Sequence, residues 1–254
     1  MNISSYSREE LTSGLKRAKK NRKIPAAPVR ILFSPTRINS ENIEDVFRIY
    51  SGISKDDFDT VIIVESHPGS AEKKLPMPSF KSVETPLGEV FANDKLRNDF
   101  CDEDDDFFIN DDAFDDEVCL YDQLMVLQCA LEDFTVLSIQ ITDENSFIVK
   151  ELAFALEEIL SARNALIVFC CDLDESHSYE LADLMSFYEN ENVSGLMNIL
   201  NSGESSIRGV GSFITGLLVA KKWNLKISFV SDESEAGSNL ISGFAEMQRQ
   251  PIFG

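Results

Sequence analysis

The amino-acid sequence predicts one α/β domain, built on a central, mostly parallel or mixed sheet with helices on both faces. Short apolar runs rich in β-branched residues are typical of strands that are covered on both faces. These runs alternate along the chain with amphipathic stretches of helical period, the order expected for a sheet between two helical layers. The predicted strands span residues 29–33, 60–64, 134–139, 165–171 and 226–230.

The first helix is predicted at residues 8–20. Ser7 and Glu10 have the spacing of a capping box, and apolar residues follow them at helical intervals. Prolines from residue 25 onward end this helix. Further helices are predicted at about 41–50, 120–131, 146–161, 178–188, 193–200 and 211–223. The break at about 76–80 is predicted to be a loop and not a linker, so residues 1–254 form one domain.

The formal net charge of -21 argues against non-specific binding to nucleic acid or to an anionic membrane, because both are polyanions. Eleven acidic residues lie between Asp99 and Glu117, and phenylalanines are interleaved with them. We predict an acidic loop at about 99–117. It is either a solvated, disordered segment or an acidic-aromatic docking segment for a protein partner with a basic surface. The basic run at 16–23 is expected to lie against the protein's own acidic surface.

The cysteine pattern and the absence of long apolar runs predict a soluble, cytoplasmic protein. The five cysteines are odd in number and include no CxxC spacing, which favours free thiols in a reducing cytosol. No apolar run reaches the roughly 18 residues that a membrane span needs. The first residues also lack the apolar core of a secretory signal.

Several short segments occur in an order and spacing that point to one family. They read SSY and REEL from residue 4, SPTRI at 34–38, ESHPG at 65–69, TPLGEV at 85–90, DEVCLYDQL at 116–124, CCDL at 170–173, RGVG at 208–211 and the segment 238–245. Together they resemble the Memo family, which includes protein B of AmmeMemoRadiSam systems. The resemblance covers the whole chain and implies the family's fold, which is similar to that of the class III extradiol dioxygenases.

The resemblance also implies a metal centre with two histidine ligands and one cysteine ligand, donors that suit iron or copper. Carried over to this sequence, these positions fall on Thr36, His67 and Arg208. Threonine is a poor ligand, and arginine is a permanent cation that would repel a metal ion. His67 is therefore the one ligand position that still carries a ligand.

The acid and base positions that the resemblance implies are also changed. The family's histidine and glutamate fall on Val118 and Tyr121, whereas Glu117 and Asp172 keep their carboxylates. A general acid or base needs a titratable group within reach of the substrate, and valine has none. A redox or hydrolytic mechanism of the family type is therefore not expected.

Three functions remain open. The first is a non-catalytic binding or interaction module, a pseudoenzyme with a degenerate metal site and no cofactor. The alternative is a metal-dependent oxidoreductase or dioxygenase-like enzyme, using non-haem iron or copper in a rearranged site built from His67, Asp172, Glu175 and His177. The third is an anion or small-molecule binder in the old pocket, lined by Thr36, Asp172, Glu117 and Arg208.

Arg208 supports the third function in one of two ways. It precedes a predicted helix, whose N-terminus favours negative charge. It could equally pair with Asp172 or Glu117 and so replace a metal ion as the neutralising cation. The sequence leaves open the ligand, the biological partner and the oligomeric state.

Overall fold

The computed structural model describes residues 2–21, 28–67, 74–114, 118–231 and 240–247. These residues form eight α-helices and eleven strands, which confirms the predicted α/β class. Within them, no helix is long and apolar enough to cross a membrane.

The helices and strands follow one another along the whole described chain. The strands are β1 (Val29–Ser34), β2 (Thr60–Ser66), β3 (Leu75–Met77), β4 (Ser82–Thr85), β5 (Gly88–Phe91), β6 (Phe107–Ile109), β7 (Thr135–Ile141), β8 (Ala165–Cys170), β9 (Leu173–Asp174), β10 (Leu225–Ser231) and β11 (Leu240–Met247). The helices are α1 (Arg8–Asn21), α2 (Ile43–Tyr50), α3 (Asp94–Glu103), α4 (Leu120–Ala130), α5 (Ser146–Leu160), α6 (Ser178–Glu189), α7 (Val193–Ser202) and α8 (Val210–Lys222).

The central sheet is mixed and has the strand order β10-β11-β1-β8-β2-β7, with β9 also paired to β11. Strands β1, β8, β2 and β7 run parallel to one another. Strand β11 runs antiparallel to both β1 and β10. Two smaller pairs, β3 with β6 and β4 with β5, lie outside this sheet. The carboxyl ends of the four parallel strands therefore lie together along one edge of the sheet, the edge that crosses the strand ends.

Each parallel strand is buried on both faces because its alternate side chains enter two different cores. In β2, Ile62 and Val64 belong to one hydrophobic core, and Val61 and Ile63 belong to the other. The first core also takes side chains from α3, α5, α6, α7 and α8. The second takes them from α1, α2 and α4. This layering explains why the strands appear in the sequence as continuous apolar runs.

The acidic stretch at 99–117 differs from the sequence prediction, because only part of it is a loop. It contains the end of α3, strand β6 and a short 3-10 helix at Asp111–Ala113, while residues 115–117 lie outside the described residues. Phe100 and Phe107 are buried, with ring centroids 5.1 Å apart. These two aromatic rings belong to the core and cannot dock a partner. The predicted loop at 76–80 also begins inside strand β3.

The basic run on α1 is described only as far as residue 21. Arg17 pairs with Glu44 of α2, as expected for a basic segment that contacts the protein's own acidic residues. Both side chains are more than half exposed, so this ion pair contributes little to stability.

Candidate functional site

The candidate site lies at the edge where the parallel strands end, which is where open α/β sheets bind their ligands. Residues 35–38 follow β1, His67 follows β2, residues 142–145 follow β7 and residues 171–172 follow β8. Arg208 and Gly209 lead into α8 beside the end of β8. The fold thus brings together these segments, which carry four of the residues predicted for the site.

Thr36 and Asp172 are joined by two hydrogen bonds across this edge. The Thr36 backbone N–H donates to Asp172 Oδ1 at 2.8 Å, and its hydroxyl donates to Oδ2 at 2.7 Å. The backbone N–H of Asp172 donates in turn to the carbonyl oxygen of Arg208 at 2.9 Å. Both carboxylate oxygens of Asp172 therefore have protein donors, and these donors come from Thr36, where the resemblance implies a metal-binding histidine.

The Arg208 side chain does not take part in this arrangement. Arg208 is exposed, and its guanidinium forms no ion pair or hydrogen bond with any described residue. The expected pairing of Arg208 with Asp172 is therefore replaced by the bonds from Thr36. Its other expected partner, Glu117, lies outside the described residues.

The first turn of α8 is already occupied by the protein's own side chains. The Gly211 N–H donates to Glu144 Oε1 at 2.8 Å, and the Ser212 N–H donates to Ser66 Oγ at 3.0 Å. A carboxylate at a helix N-terminus is stabilised by the unpaired N–H groups and the helix dipole. Glu144 and Ser66 thus fill two donor positions that an anionic ligand would use.

Gly209 allows α8 to start against the end of β8. It has a φ of 80°, and a Cβ atom at this position would lie 2.7 Å from the carbonyl oxygen of Cys170. Both the left-handed backbone and the close approach require glycine. This requirement fixes where the backbone of Arg208 meets Asp172.

The loop that carries Thr36 is held by residues of α4. Gln123 Nε2 donates to the carbonyl oxygen of Pro35 at 2.8 Å, and its Oε1 accepts from the hydroxyls of Ser34 and Tyr50 at 2.9 and 2.5 Å. Sequence reasoning assigned Gln123 to the fold but not to the site. Its place in the family-like segment 116–124 was the signal available.

Asp122 forms a second link between α4 and the same loop. Its Oδ2 accepts a hydrogen bond from the Ile38 backbone N–H at 2.8 Å. Burial raises the pKa of Asp122, and the Ile38 N–H and the positive charge of Arg37 oppose that rise. A shallow pocket of about 260 Å³ opens here, lined by Asn2, Arg37, Ile38, Asn39, Glu41 and Asp122.

A buried polar cluster lies beneath the edge, and sequence reasoning missed it. Glu65 of β2 accepts from the Cys119 backbone N–H at 2.8 Å and from Gln140 Nε2 at 3.3 Å, while its Oε1 has no described partner. Burial raises the pKa of Glu65. A glutamate directly after the apolar run of β2 was the signal for this cluster.

Two buried thiols meet beside Glu65. The Sγ atoms of Cys119 and Cys170 lie 2.8 Å apart in a hydrogen-bond contact, and all five cysteines are free thiols. Burial is the main cause that raises the pKa of both thiols. They are therefore protonated, weakly nucleophilic groups at neutral pH.

The two histidines have separate structural surroundings. The His67 backbone N–H donates to the carbonyl oxygen of Ile141 at 3.0 Å, which continues the pairing of β2 with β7. His177 Nδ1 accepts from the Asp174 backbone N–H at 3.3 Å and closes the capping box of the turn Glu175–His177. His177 thus serves a local turn.

The described residues do not fit the metal centre that the family resemblance implies. No group of three or more histidine, cysteine, aspartate or glutamate side chains in this part of the chain is arranged to hold a metal ion. The Thr36 hydroxyl donates its hydrogen bond to Asp172, and Arg208 brings a positive charge to the third ligand position. His67, Glu175 and His177 are likewise not assembled into such a group.

Comparison with known proteins places this geometry in a family context. The family model described as "Memo-like protein" matches residues 44–237. The crystal structure of the uncharacterized protein JW3007 from Escherichia coli K12 superimposes with a TM-score of 0.52, covering 86% of this chain and 100% of that chain. Its sequence identity of 11% shows a shared fold alone. No curated protein matches the chain.

Proposed function

The chain belongs to the Memo-like protein family, and from this membership we propose that it is a non-catalytic member that works as a binding or interaction module. The relation between Thr36 and Asp172 carries the proposal. An aspartate whose two oxygens accept hydrogen bonds from one residue has its charge stabilised without a cation. The loop ends are thus held by protein contacts where the family resemblance implies a metal ion.

The acid and base positions support the same proposal. Val118 is buried and has no proton to transfer. Tyr121 points its ring toward solvent, with 44% of the residue exposed. A general acid or base must reach the substrate within hydrogen-bonding distance, and these side chains do not replace a histidine and a glutamate in that role.

We also propose a cytoplasmic location for this module. The five cysteines are free thiols, and three of them are buried. Thiols of this kind persist in a reducing compartment, whereas secreted proteins tend to carry disulfides. A tagged chain found in a secreted fraction would contradict the proposal.

Metal analysis tests the non-catalytic proposal. The chain is purified from cells supplied with iron and copper, and its metal content is measured by elemental mass spectrometry. We expect far less than one metal ion per chain, and no difference between the wild type, His67→Ala and His177→Ala. One equivalent of iron or copper that is lost in His67→Ala would overturn the proposal. Loss in both variants would support the rearranged enzyme site.

The exposed guanidinium of Arg208 favours anion binding as a second candidate function. Arg208 lies beside the carboxyl end of β8, and its guanidinium has no partner among the described residues. Thermal unfolding in increasing inorganic phosphate tests this candidate. We expect phosphate to raise the unfolding temperature of the wild type and to have no such effect on Arg208→Ala. Lys95→Ala, a change at another exposed cation, should still be stabilised. Equal stabilisation of both variants would exclude Arg208 as the anion-binding residue.

A further inference from the structure

The outer side of α5 carries two exposed aromatic rings in one line. Phe147 is 62% exposed and Phe154 is 51% exposed, although most large apolar side chains of the described chain are buried. Residues seven apart lie on the same face of a helix, about 10 Å apart along its axis. The other face of α5 enters the core through Ile148, Leu152 and Leu156. The two rings therefore form a helix face that no described element covers.

Acidic side chains at the end of α3 and in the turn after it lie near Glu151 of α5. Helix α3 packs against α5, and the turn after α3 is fixed because the Leu75 N–H donates to the Asp106 carbonyl oxygen at 3.1 Å. The Asp106 N–H also donates to Asp104 Oδ1 at 2.7 Å. Glu151 lies on α5 between the two rings in sequence. Its pKa is raised by burial first, and then by the negative charges of Asp104, Asp106 and Glu103.

Among the described residues, these acids have no neutralising cation. No ion pair in the described part of the chain involves Glu103, Asp104, Asp106 or Glu151. Helix α5 carries one lysine, Lys150, and the Lys74 ammonium pairs with Asp143 at 3.3 Å. The described residues of this face therefore keep an excess of negative charge. Like charges held together repel one another, and a basic partner would relieve this repulsion.

We infer that this acidic-aromatic face is a docking surface for a basic amphipathic helix of a partner protein. The face consists of six residues: Phe147, Glu151 and Phe154 of α5, Glu103 at the end of α3, and Asp104 and Asp106 in the turn that follows. Apolar residues of the partner helix cover the two rings, and its lysines or arginines pair with the acids. The inference deepens the proposed function by giving the interaction module a class of partner.

The negative charge of this face favours a basic partner over the alternatives. An anionic membrane and a nucleic acid would be repelled by the face, and a second copy of the chain brings another net charge of -21. A helix is favoured because anchors seven residues apart on α5 match the spacing of one face of a partner helix. The expected partner is therefore basic, helical and apolar on one side.

A peptide-binding experiment tests the inference on the full chain. The probe is a labelled leucine–lysine peptide of amphipathic helical spacing, about five turns long, and fluorescence anisotropy is measured at about 0.15 M ionic strength. We expect saturable binding, and no binding of the matched leucine–glutamate peptide. Phe147→Ala/Phe154→Ala should weaken binding about tenfold or more, as expected for aromatic anchors. Glu103→Gln/Glu151→Gln should also weaken it.

Matched variants separate this face from the general negative charge of the protein. Phe91→Ala/Tyr179→Ala removes two aromatic rings that are 60% and 87% exposed elsewhere. Glu84→Gln/Glu89→Gln removes the same charge as the acidic variant. Both controls should bind like the wild type, and equal weakening by test and control variants would overturn the inference.

Self-association gives a separate outcome. Dimers that form by analytical ultracentrifugation and are lost in Phe147→Ala/Phe154→Ala would show that a second copy occupies the face, which also overturns the inference. The metal content of the same preparations reports on the proposed function independently. If the chain is free of metal and does not bind the peptide, only the inference is overturned. If the chain carries a metal ion and binds the peptide, only the proposed function is overturned.

Discussion

Thr36 binds Asp172 through two donors, its backbone N–H and its hydroxyl, at 2.8 and 2.7 Å. The two residues are far apart in sequence and follow two adjacent parallel strands, β1 and β8. The bond pair therefore holds two loops together at the edge of the sheet.

Replacing the Thr36 hydroxyl should destabilise the protein. Thr36→Val keeps the shape and the backbone donor but leaves Asp172 Oδ2 without its partner, and we expect a loss of about 1–2 kcal/mol in the free energy of unfolding. Urea denaturation measures this loss. Thr36→Ser keeps the hydroxyl and should stay closer to the wild type. Equal losses in the two variants would show that the hydroxyl contributes no more to stability than the methyl group that Thr36→Ser removes.

Gly209 should tolerate substitution much less well than Gly203, which also has positive φ. Gly203 has a φ of 64° and no atom within 4 Å of an added Cβ, so Gly203→Ala should cost about 1–2 kcal/mol from backbone strain alone. Gly209→Ala adds a contact of 2.7 Å with the carbonyl oxygen of Cys170. Thermal and urea unfolding should rank Gly209→Ala as clearly less stable. Equal stability would mean that α8 can shift away from β8.

Glu65 should make stability depend on pH in a defined direction. Burial raises its pKa in the folded protein above the ordinary value of 4.5. As the pH rises from the ordinary pKa of 4.5 through the raised pKa of the folded state, Glu65 of the unfolded chain releases its proton first. The free energy of unfolding therefore falls over this pH range. Glu65→Gln removes this contribution. The stability of the variant relative to wild type should therefore increase with pH above about 4.5.

Urea denaturation across a pH series measures the effect of Glu65→Gln. Glu84→Gln, a change of the same type at an exposed position, serves as the control. A constant difference between Glu65→Gln and the wild type at every pH would contradict the argument.

The cysteines should react with iodoacetamide in two groups. Cys101 and Cys129 are partly exposed, whereas Cys119, Cys170 and Cys171 are buried. Burial raises the pKa of all three buried thiols and also that of Cys129, so the exposure of each thiol decides the order of reaction. Mass spectrometry of the native protein should find Cys101 and Cys129 labelled first, and the other three after unfolding. Early labelling of Cys170 would indicate that the edge of β8 opens locally.

The order of helices and strands could be predicted well because the apolar periodicity is strong. The predicted strands and helices appear at nearly their expected positions, β1 and α5 among them. Helix α3 was missed because its acidic residues dominate the composition, although Leu96 and Phe100 carry its buried side. Local charge obscured a short amphipathic pattern.

The site could be located from the sequence, but its bonding could not be predicted. The resemblance implied that Thr36, Asp172 and Arg208 belong to one pocket. In the fold, Thr36 bonds to Asp172 and the backbones of Asp172 and Arg208 meet. The choice of Thr36 as the partner of Asp172 depends on backbone positions set by β1, β8 and Gly209. The buried Glu65 cluster likewise joins three distant segments, and no local pattern predicts such contacts.

Strand β11 has a consequence for the order in which the protein folds. It is the last of the described strands in chain order, yet it lies between β10 and β1 and also pairs with β9. Strand β1 thus acquires both of its neighbours from distant parts of the sequence. Such non-local pairing slows folding, because long loops must close before the contacts form. A nascent chain would keep one side of β1 unpaired until β11 emerges, a period in which an exposed strand edge invites aggregation.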